Sequence, residues 1–273
     1  MATRRKVLDA VIRHRIDLQR YAKGEASSIV RLLASNDAKI VEQLRFILPS
    51  TPGARASIDR LVEQVTATRG RQLGEVRARL HSDLVQLAES EGATIGKLMS
   101  RAVGVPVAFN PIQKLASRQS VSRAFGGAPG SRRTLGRWFN DLARADQRRL
   151  STTIRQGLYA GQTHEQIVRT LVGTPSAKYA DGVMAITRRE AETAVRTASN
   201  HVANAAQVSW AKANSDVVTG MEWLSLLDER TCPICESLHG EITQGDPAPP
   251  AHPNCRCTLV PILDLDALAE AAP

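Results

Sequence analysis

All four cysteines of the 273-residue chain fall between Cys232 and Cys257, and the 231 residues before them contain none. Clustering of that kind marks a site rather than background usage. Cys232 and Cys235 form a Cys-x-x-Cys turn that can present two thiolates to one ion, and His252, Cys255 and Cys257 follow in the run His-Pro-Asn-Cys-Arg-Cys. These are five donors for the four positions of a tetrahedral zinc ion, so spacing alone leaves the ligand set open. Zinc would be structural here, and such sites contribute up to about 10–16 kcal/mol to folding in finger peptides. Two other states of the thiols stay open beside it. Disulfides between the Cys232/Cys235 pair and the Cys255/Cys257 pair would close the same loop and stabilise by about 3 kcal/mol, although a chain that is not exported usually keeps its thiols reduced. The remaining state is four free thiols packed in a turn. Thioredoxin-like redox chemistry is disfavoured, because this Cys-x-x-Cys is not expected to open a helix at the end of a βαβ strand.

The polar residues around the cluster favour architecture over catalysis. Asp228 and Arg230 flank the first cysteine two positions apart; Asp228 is expected to accept backbone N–H groups in a turn, with Arg230 as its partner or as a clamp on the proline loop 245–250. His252 has the better claim to be a ligand, while His239 beside Gly240 reads as a solvated turn residue. Trp210 and Trp223 read as core residues, and Trp138 with Phe139 as the anchor of a helix. No Ser/His/Asp order, phosphate-cradling glycine loop or carboxylate dyad is visible. The expectation is a protein that is not an enzyme.

The elements that must position this cluster are mostly helical. Hydrophobic residues make up 42% of the chain and aromatics only 4%, which argues for close-packed helices rather than an all-β fold. Apolar residues recur at helical spacing through Val7, Val11, Ile29, Leu33, Ile40 and Leu44, break at Pro49–Gly53, and resume from Ile58 through Leu87 to Gly92. Thr51 before Pro52 is a good start for that second helix. Glycines and prolines between Gly104 and Gly130 mark a linker. Beyond it a helix is expected at about 132–160, a short one from a Thr163/Gln166 capping box to Gly173, and a long alanine-rich one capped by Asp181 and running to about Asn214. Short strands are expected at 221–227 and 257–262. The fold class is therefore α+β, predominantly α-helical, with an N-terminal helical hairpin or bundle and a small C-terminal β element carrying the Cys/His cluster. Its divisions are expected at 1–110, 111–131 (linker), 132–263 and 264–273 (tail).

The net charge of +9 conceals an asymmetry: residues 1–160 hold 28 Lys and Arg against 13 Asp and Glu, and residues 161–273 hold 8 against 14. Arg supplies 29 of the 36 cations, which favours bidentate pairing with phosphates or carboxylates. Arg4, Arg5, Arg13, Arg132 and Arg133 are the candidates for contact with DNA or an acidic partner. Residues 222–246 are acidic, with Arg230 their one cation, so that end favours protein contact. No apolar run approaches the roughly 18–20 residues of a membrane span and no secretion signal is visible, so a soluble, non-exported chain is expected.

Several of these residues occur in a familiar order. Gly161-x-Thr163, Arg196-Thr197 with Asn200, Trp223, Asp228-x-Arg230-Thr-Cys-x-x-Cys-x-x-Leu-x-Gly240, then Pro250-x-His-Pro-x-Cys-Arg-Cys257 together resemble the phage Mu protein F-like minor head proteins, over about residues 132–262. Ala198 stands where members commonly carry Glu. The resemblance implies a virion protein of the capsid interior, made in the host bacterial cytoplasm. Its implied partners are the portal protein, the inner capsid surface and, non-specifically, packaged double-stranded DNA, with a role in head morphogenesis, DNA packaging or ejection. A cationic helical arm in a DNA-filled shell would neutralise phosphates, with affinity falling steeply as salt rises. The alternative is a zinc-stabilised nucleic-acid-binding protein unconnected with a virion.

Overall fold

The computed structural model describes residues 2–47, 55–104, 109–110, 119–122 and 133–270. The Thr51–Pro52 helix start, Arg132 and most of the expected linker 111–131 lie outside the described residues. In chain order the elements are α1 (Ala2–Ile47), α2 (Arg55–Val103), α3 (Leu135–Tyr159), α4 (His164–Val172), α5 (Val183–Ala213), β1 (Val218–Leu224), α6 (Pro233–Ser237), β2 (Ile242–Thr243), β3 (Thr258–Leu263) and α7 (Leu265–Glu270). The chain is mostly helical with a small C-terminal β element, the α+β class read from its periodicity. The chain groups into two compact units, each assembled from separate stretches of sequence.

One unit comprises residues 25–80 and 136–193. The apolar positions that set the helical period are its core: Ile40 and Leu44 of α1, Ile58, Leu61 and Val65 of α2, and Leu150 and Ile154 of α3 are buried together with Ile167 and Leu171 of α4. Helix α4 starts as expected, with Gln166 N donating to Thr163 Oγ1 and Thr163 N donating to Gln166 Oε1, and it ends at Gly173. Gly173 has φ 95° and packs against Gly182, so a Cβ there would be both strained and obstructed. Asp181 does not cap α5. Its carboxylate instead accepts from the backbone N–H and hydroxyl of Thr174, at 2.8 and 2.7 Å, and closes the loop that precedes the helix. An acceptor able to satisfy a nearby loop is drawn to it as readily as to a helix end.

The same unit contains a buried ionic network. Arg69, fully enclosed, lies 2.7 Å from Asp37 and 2.7 Å from Asp146. Arg188 also pairs with Asp37, and the Thr187 hydroxyl donates to Asp146. Two guanidinium groups thus face two carboxylates, which is the condition under which buried charge is tolerated. Burial raises the Asp37 carboxyl above its ordinary range, opposed by Arg69 and Arg188.

The other unit comprises residues up to 24, 81–135 and 194–273. Val7 and Val11 of α1 and Ile95 and Met99 of α2 share a core with Trp210, Trp223, Leu259 and three of the cysteines. Helix α2 continues past Gly92 to Val103 because Ile95, Met99 and Ala102 are buried there, and such packing outweighs the roughly 1 kcal/mol cost of a helical glycine. Trp210 and Trp223 are core residues as expected, and Phe109 meets Trp210 edge to face at 5.0 Å. Strand β1 is the centre of a three-stranded antiparallel sheet in the order β2-β1-β3, with Glu222 opposite both Ile242 and Val260. Strand β2 was not visible in the sequence. Two residues cannot display an alternation.

Candidate metal centre

The cysteines approach one another because three segments are fastened to a common base. The first begins at the end of β1, where the Ser225 hydroxyl donates to the Cys235 carbonyl at 2.6 Å and lies 3.2 Å from Cys257 Sγ. The second is the one-turn helix α6: Cys232 is its N-cap, with Cys235 N donating to Cys232 Sγ at 3.4 Å and Pro233 in the first helical position. The Cys-x-x-Cys does open a short helix, but the strand that precedes it belongs to an antiparallel sheet and, as expected, not to a βαβ unit. Gly240 ends this segment with φ 83°, a left-handed turn suited to glycine, and its N–H donates to the Trp223 carbonyl.

The third segment, residues 254–259, is held by a polar stripe on α5. Thr197 accepts from Asn254 N at 3.0 Å, Asn200 Nδ2 donates to the Cys255 carbonyl at 2.6 Å, and Asn204 Oδ1 accepts from Leu259 N at 3.1 Å. Thr258 Oγ1 completes the stripe by bonding Asn204 and Gln207. Residues at such spacings lie along one face of a helix. Asn204 and Gln207 were missed in the sequence, yet the signal was there: polar side chains at 197, 200, 204 and 207 in an otherwise alanine-rich helix.

Five donor atoms result, in two groups of three that share Cys235: Cys232, Cys235 and His252, and Cys235, Cys255 and Cys257, each within 4.8 Å. His252 Nε2 lies 3.2 Å from Cys232 Sγ and 3.1 Å from Cys235 Sγ, and Cys235 Sγ lies 3.8 Å from Cys255 Sγ. A tetrahedral zinc ion, with Zn–S about 2.3 Å and Zn–N about 2.0 Å, has S···S edges of about 3.8 Å and N···S edges of about 3.5 Å. The Cys235–Cys255 edge matches that tetrahedron and the two His252 edges are somewhat shorter, but the five donors divide into two compact triples rather than one group of four. His252 Nδ1 lies 2.8 Å from the Pro253 carbonyl and must donate to it, which leaves the Nε2 lone pair facing the sulfurs. These groups can hold a metal.

The thiols are strongly polarised by one another. Cys257 is pulled down to about 5, first by the hydrogen bond from Cys255 and, against burial, also by Ser225. Cys235 is pushed up to about 12, chiefly by burial and then by Cys257, and Cys255 is raised too, chiefly by its hydrogen bond with Cys257. One negative charge is thus shared among three sulfurs, and a cation is the partner such a set favours.

Asp228 does accept from Arg230 N, at 3.0 Å, and it also bonds Thr231. Its principal partner, however, is Arg256, which grips both carboxylate oxygens. That guanidinium holds the Asp228 carboxyl well below the usual carboxylate range. Arg230 approaches only to 3.7 Å and is largely exposed. The bridge ties the 228–231 turn to the Cys255–Cys257 segment. His239, although exposed, accepts from Ser225 N through Nδ1.

Of the basic residues expected to contact DNA or a partner, all but Arg132 are described. Arg4, Arg5, Arg13 and Arg133 are exposed, and Arg4 pairs with Glu222 at 2.7 Å. Arg15, which the sequence did not distinguish from its neighbours, is instead buried.

Residues 148–260 match the family model described as Phage Mu protein F like protein. That span contains the polar stripe of α5, all three strands up to Val260, and the complete Cys/His cluster. No curated protein and no solved structure matches the chain. Among the described residues no helix is long and apolar enough to cross a membrane.

Proposed function

We propose that this protein is a minor head protein of a tailed phage, placed in the capsid interior against the portal, where it assists head morphogenesis and the handling of packaged DNA. The observation that carries the reading is the match of residues 148–260 to the phage Mu protein F-like family, over the segment that builds the Cys/His cluster. The cluster's surroundings support an architectural rather than a catalytic use. Ser225, Asp228, His239 and Asn200 are all engaged in fastening backbone or neighbouring side chains. The ion it would hold is zinc, on Cys232, Cys235 and His252, with Cys255 or Cys257 as the fourth ligand. Zinc supplies cross-linking of the loop and nothing else in this reading. Metal analysis of the purified chain is expected to give one zinc per chain, lost in Cys235→Ser, the donor common to both triples.

The exposed arginines of α1 would reach acidic partners, DNA among them, and their contribution would be screened by salt. Co-expression with the portal protein of the same genome, followed by size-exclusion chromatography with mass determination at low and at about 0.5 M salt, tests the proposal. A salt-resistant complex of defined stoichiometry is the expected result. No complex at either salt, with tight salt-sensitive DNA binding instead, would transfer the function to a zinc-stabilised nucleic-acid-binding protein outside the virion.

A further inference from the structure

Beside the Cys/His cluster, within the same unit, lies a cleft of about 580 Å³ whose walls come from α1, α5 and the 252–256 segment. Its size falls in the range of small-ligand sites, about 300–1,000 Å³. Six cationic side chains line it, Arg15, Arg20, Lys23, Arg196, Arg230 and Arg256, and no carboxylate does. The cations are not equivalent. Arg20 pairs with Asp17, and Arg230 and Arg256 pair with Asp228, all around exposed or half-exposed acids.

Arg15 is different. It is only 6% exposed, and its one hydrogen bond runs from Nε to the Arg256 carbonyl at 3.3 Å. Electrostatic support comes first from Cys255 and Cys257, neither of which is hydrogen-bonded to it, and then from Glu91, which is itself bonded to His14. Burial pulls the guanidinium down to about 10, so it remains a cation at neutral pH. A desolvated charge without a bonded counter-ion is costly, and chains that keep one usually have a use for it. Ser199 of α5, which also lines the cleft and is 3% exposed, has a hydroxyl with no hydrogen-bond partner. Buried polar groups left in that condition call for a missing partner.

We propose that the cleft binds a small phosphate-bearing anion, a di- or triphosphate group, with Arg15 as the buried anchor, Ser199 as a second donor, and the rim arginines closing on the outer oxygens. A planar guanidinium grips phosphate bidentately, and Ser199 supplies a neutral donor where a second charge would not be desolvated. The depth of Arg15 selects among phosphate sources. A phosphodiester within a duplex stays on the outside of the cleft, whereas a free polyphosphate, or the terminal phosphate of a strand, can enter it.

The test is isothermal titration of the full chain with inorganic pyrophosphate at low salt, with parallel titrations of a blunt duplex carrying or lacking 5′-phosphates. One pyrophosphate per chain is the expected result, weakened about 30- to 100-fold in Arg15→Met and about 5- to 10-fold in Ser199→Ala. Arg144→Ala, an exposed position in the other unit, is expected to bind as wild type. Arg15→Met should keep the wild-type far-ultraviolet spectrum and metal content, which separates lost binding from lost folding. A duplex that binds only when phosphorylated would name a strand end as the source of the phosphate, and equal binding of both duplexes with no pyrophosphate bound would overturn the proposal. So would pyrophosphate binding unchanged in Arg15→Met, and loss of metal in that variant would then assign Arg15 to balancing the thiolate charge. None of these outcomes depends on whether the portal complex forms.

Discussion

The two units treat buried arginine in opposite ways. Arg69 is enclosed between Asp37 and Asp146, with Arg188 and Thr187 completing a set in which charges cancel. Arg15 is enclosed almost as fully, but its hydrogen bond goes to a backbone carbonyl and its strongest electrostatic support comes from Cys255 and Cys257. The first arrangement is balanced in charge within the folded chain. The second leans on the neighbouring thiolates without bonding them, and in our proposal an anion in the cleft completes it. Equal burial therefore carries opposite meanings, and the carboxylates within reach decide which applies.

Substitution should expose that difference as a difference of sign. Arg69→Met leaves Asp146 without a cation and Asp37 with Arg188 alone, and is expected to cost about 3–5 kcal/mol, read as a lower urea midpoint; adding Asp146→Leu should recover most of it. A next, smaller loss is expected for Asn204→Ala, about 2 kcal/mol, because Leu259 N and Thr258 Oγ1 lose a buried acceptor. This variant also tests whether the stripe on α5 holds the metal loop: its metal content should fall together with its stability. Arg15→Met is expected to leave stability within about 1 kcal/mol of wild type, on the stabilising side, since it removes a desolvated charge without orphaning a carboxylate. A loss as large as that of Arg69→Met would erase the contrast between the two units.

The smallest effect is expected from pH. Its hydrogen bond to Glu91 raises His14 above its ordinary value of 6.5, against the opposing effect of burial. A group whose folded value is raised stabilises fully below its unfolded value and loses that contribution as pH rises through the folded one. Wild type should therefore exceed His14→Gln by about 0.5 kcal/mol below pH 6.5, and the gap should close as pH rises above it. Urea melts across that window check it, and a gap that widened with pH would reverse the assignment.

What the sequence displayed and what it hid follow from the range over which each interaction acts. The α4 capping box was legible because both partners lie within four residues, and the helices were legible because Ile40, Leu44, Leu61 and Val65 repeat a face. Asp181 was misread because an N-cap and a loop acceptor present the same local pattern, and only Thr174, seven residues back, decides between them. At the Cys/His cluster, the donors could be counted from spacing, but their grouping depends on Ser225 and on an α5 stripe more than fifty residues from the cysteines it holds. Arg256 as the partner of Asp228 was hidden for the same reason, since 28 residues separate them. Arg15 was the least legible of all. One arginine among 29 is marked only by its burial.

Cys232 performs three tasks with a single sulfur: it accepts the N–H that starts α6, it faces His252 Nε2, and it fixes the spacing to Cys235. Damage there would not be graded. Oxidation of this half-exposed thiol to a sulfinate, by two successive oxygen transfers, would enlarge the sulfur, replace a soft donor with hard oxygens and disturb its contacts with His252 and Cys235 N together. The loop would then lose a candidate metal donor and part of its local fold together, so a lesion confined to Cys232 should register as an all-or-none failure of the whole C-terminal turn.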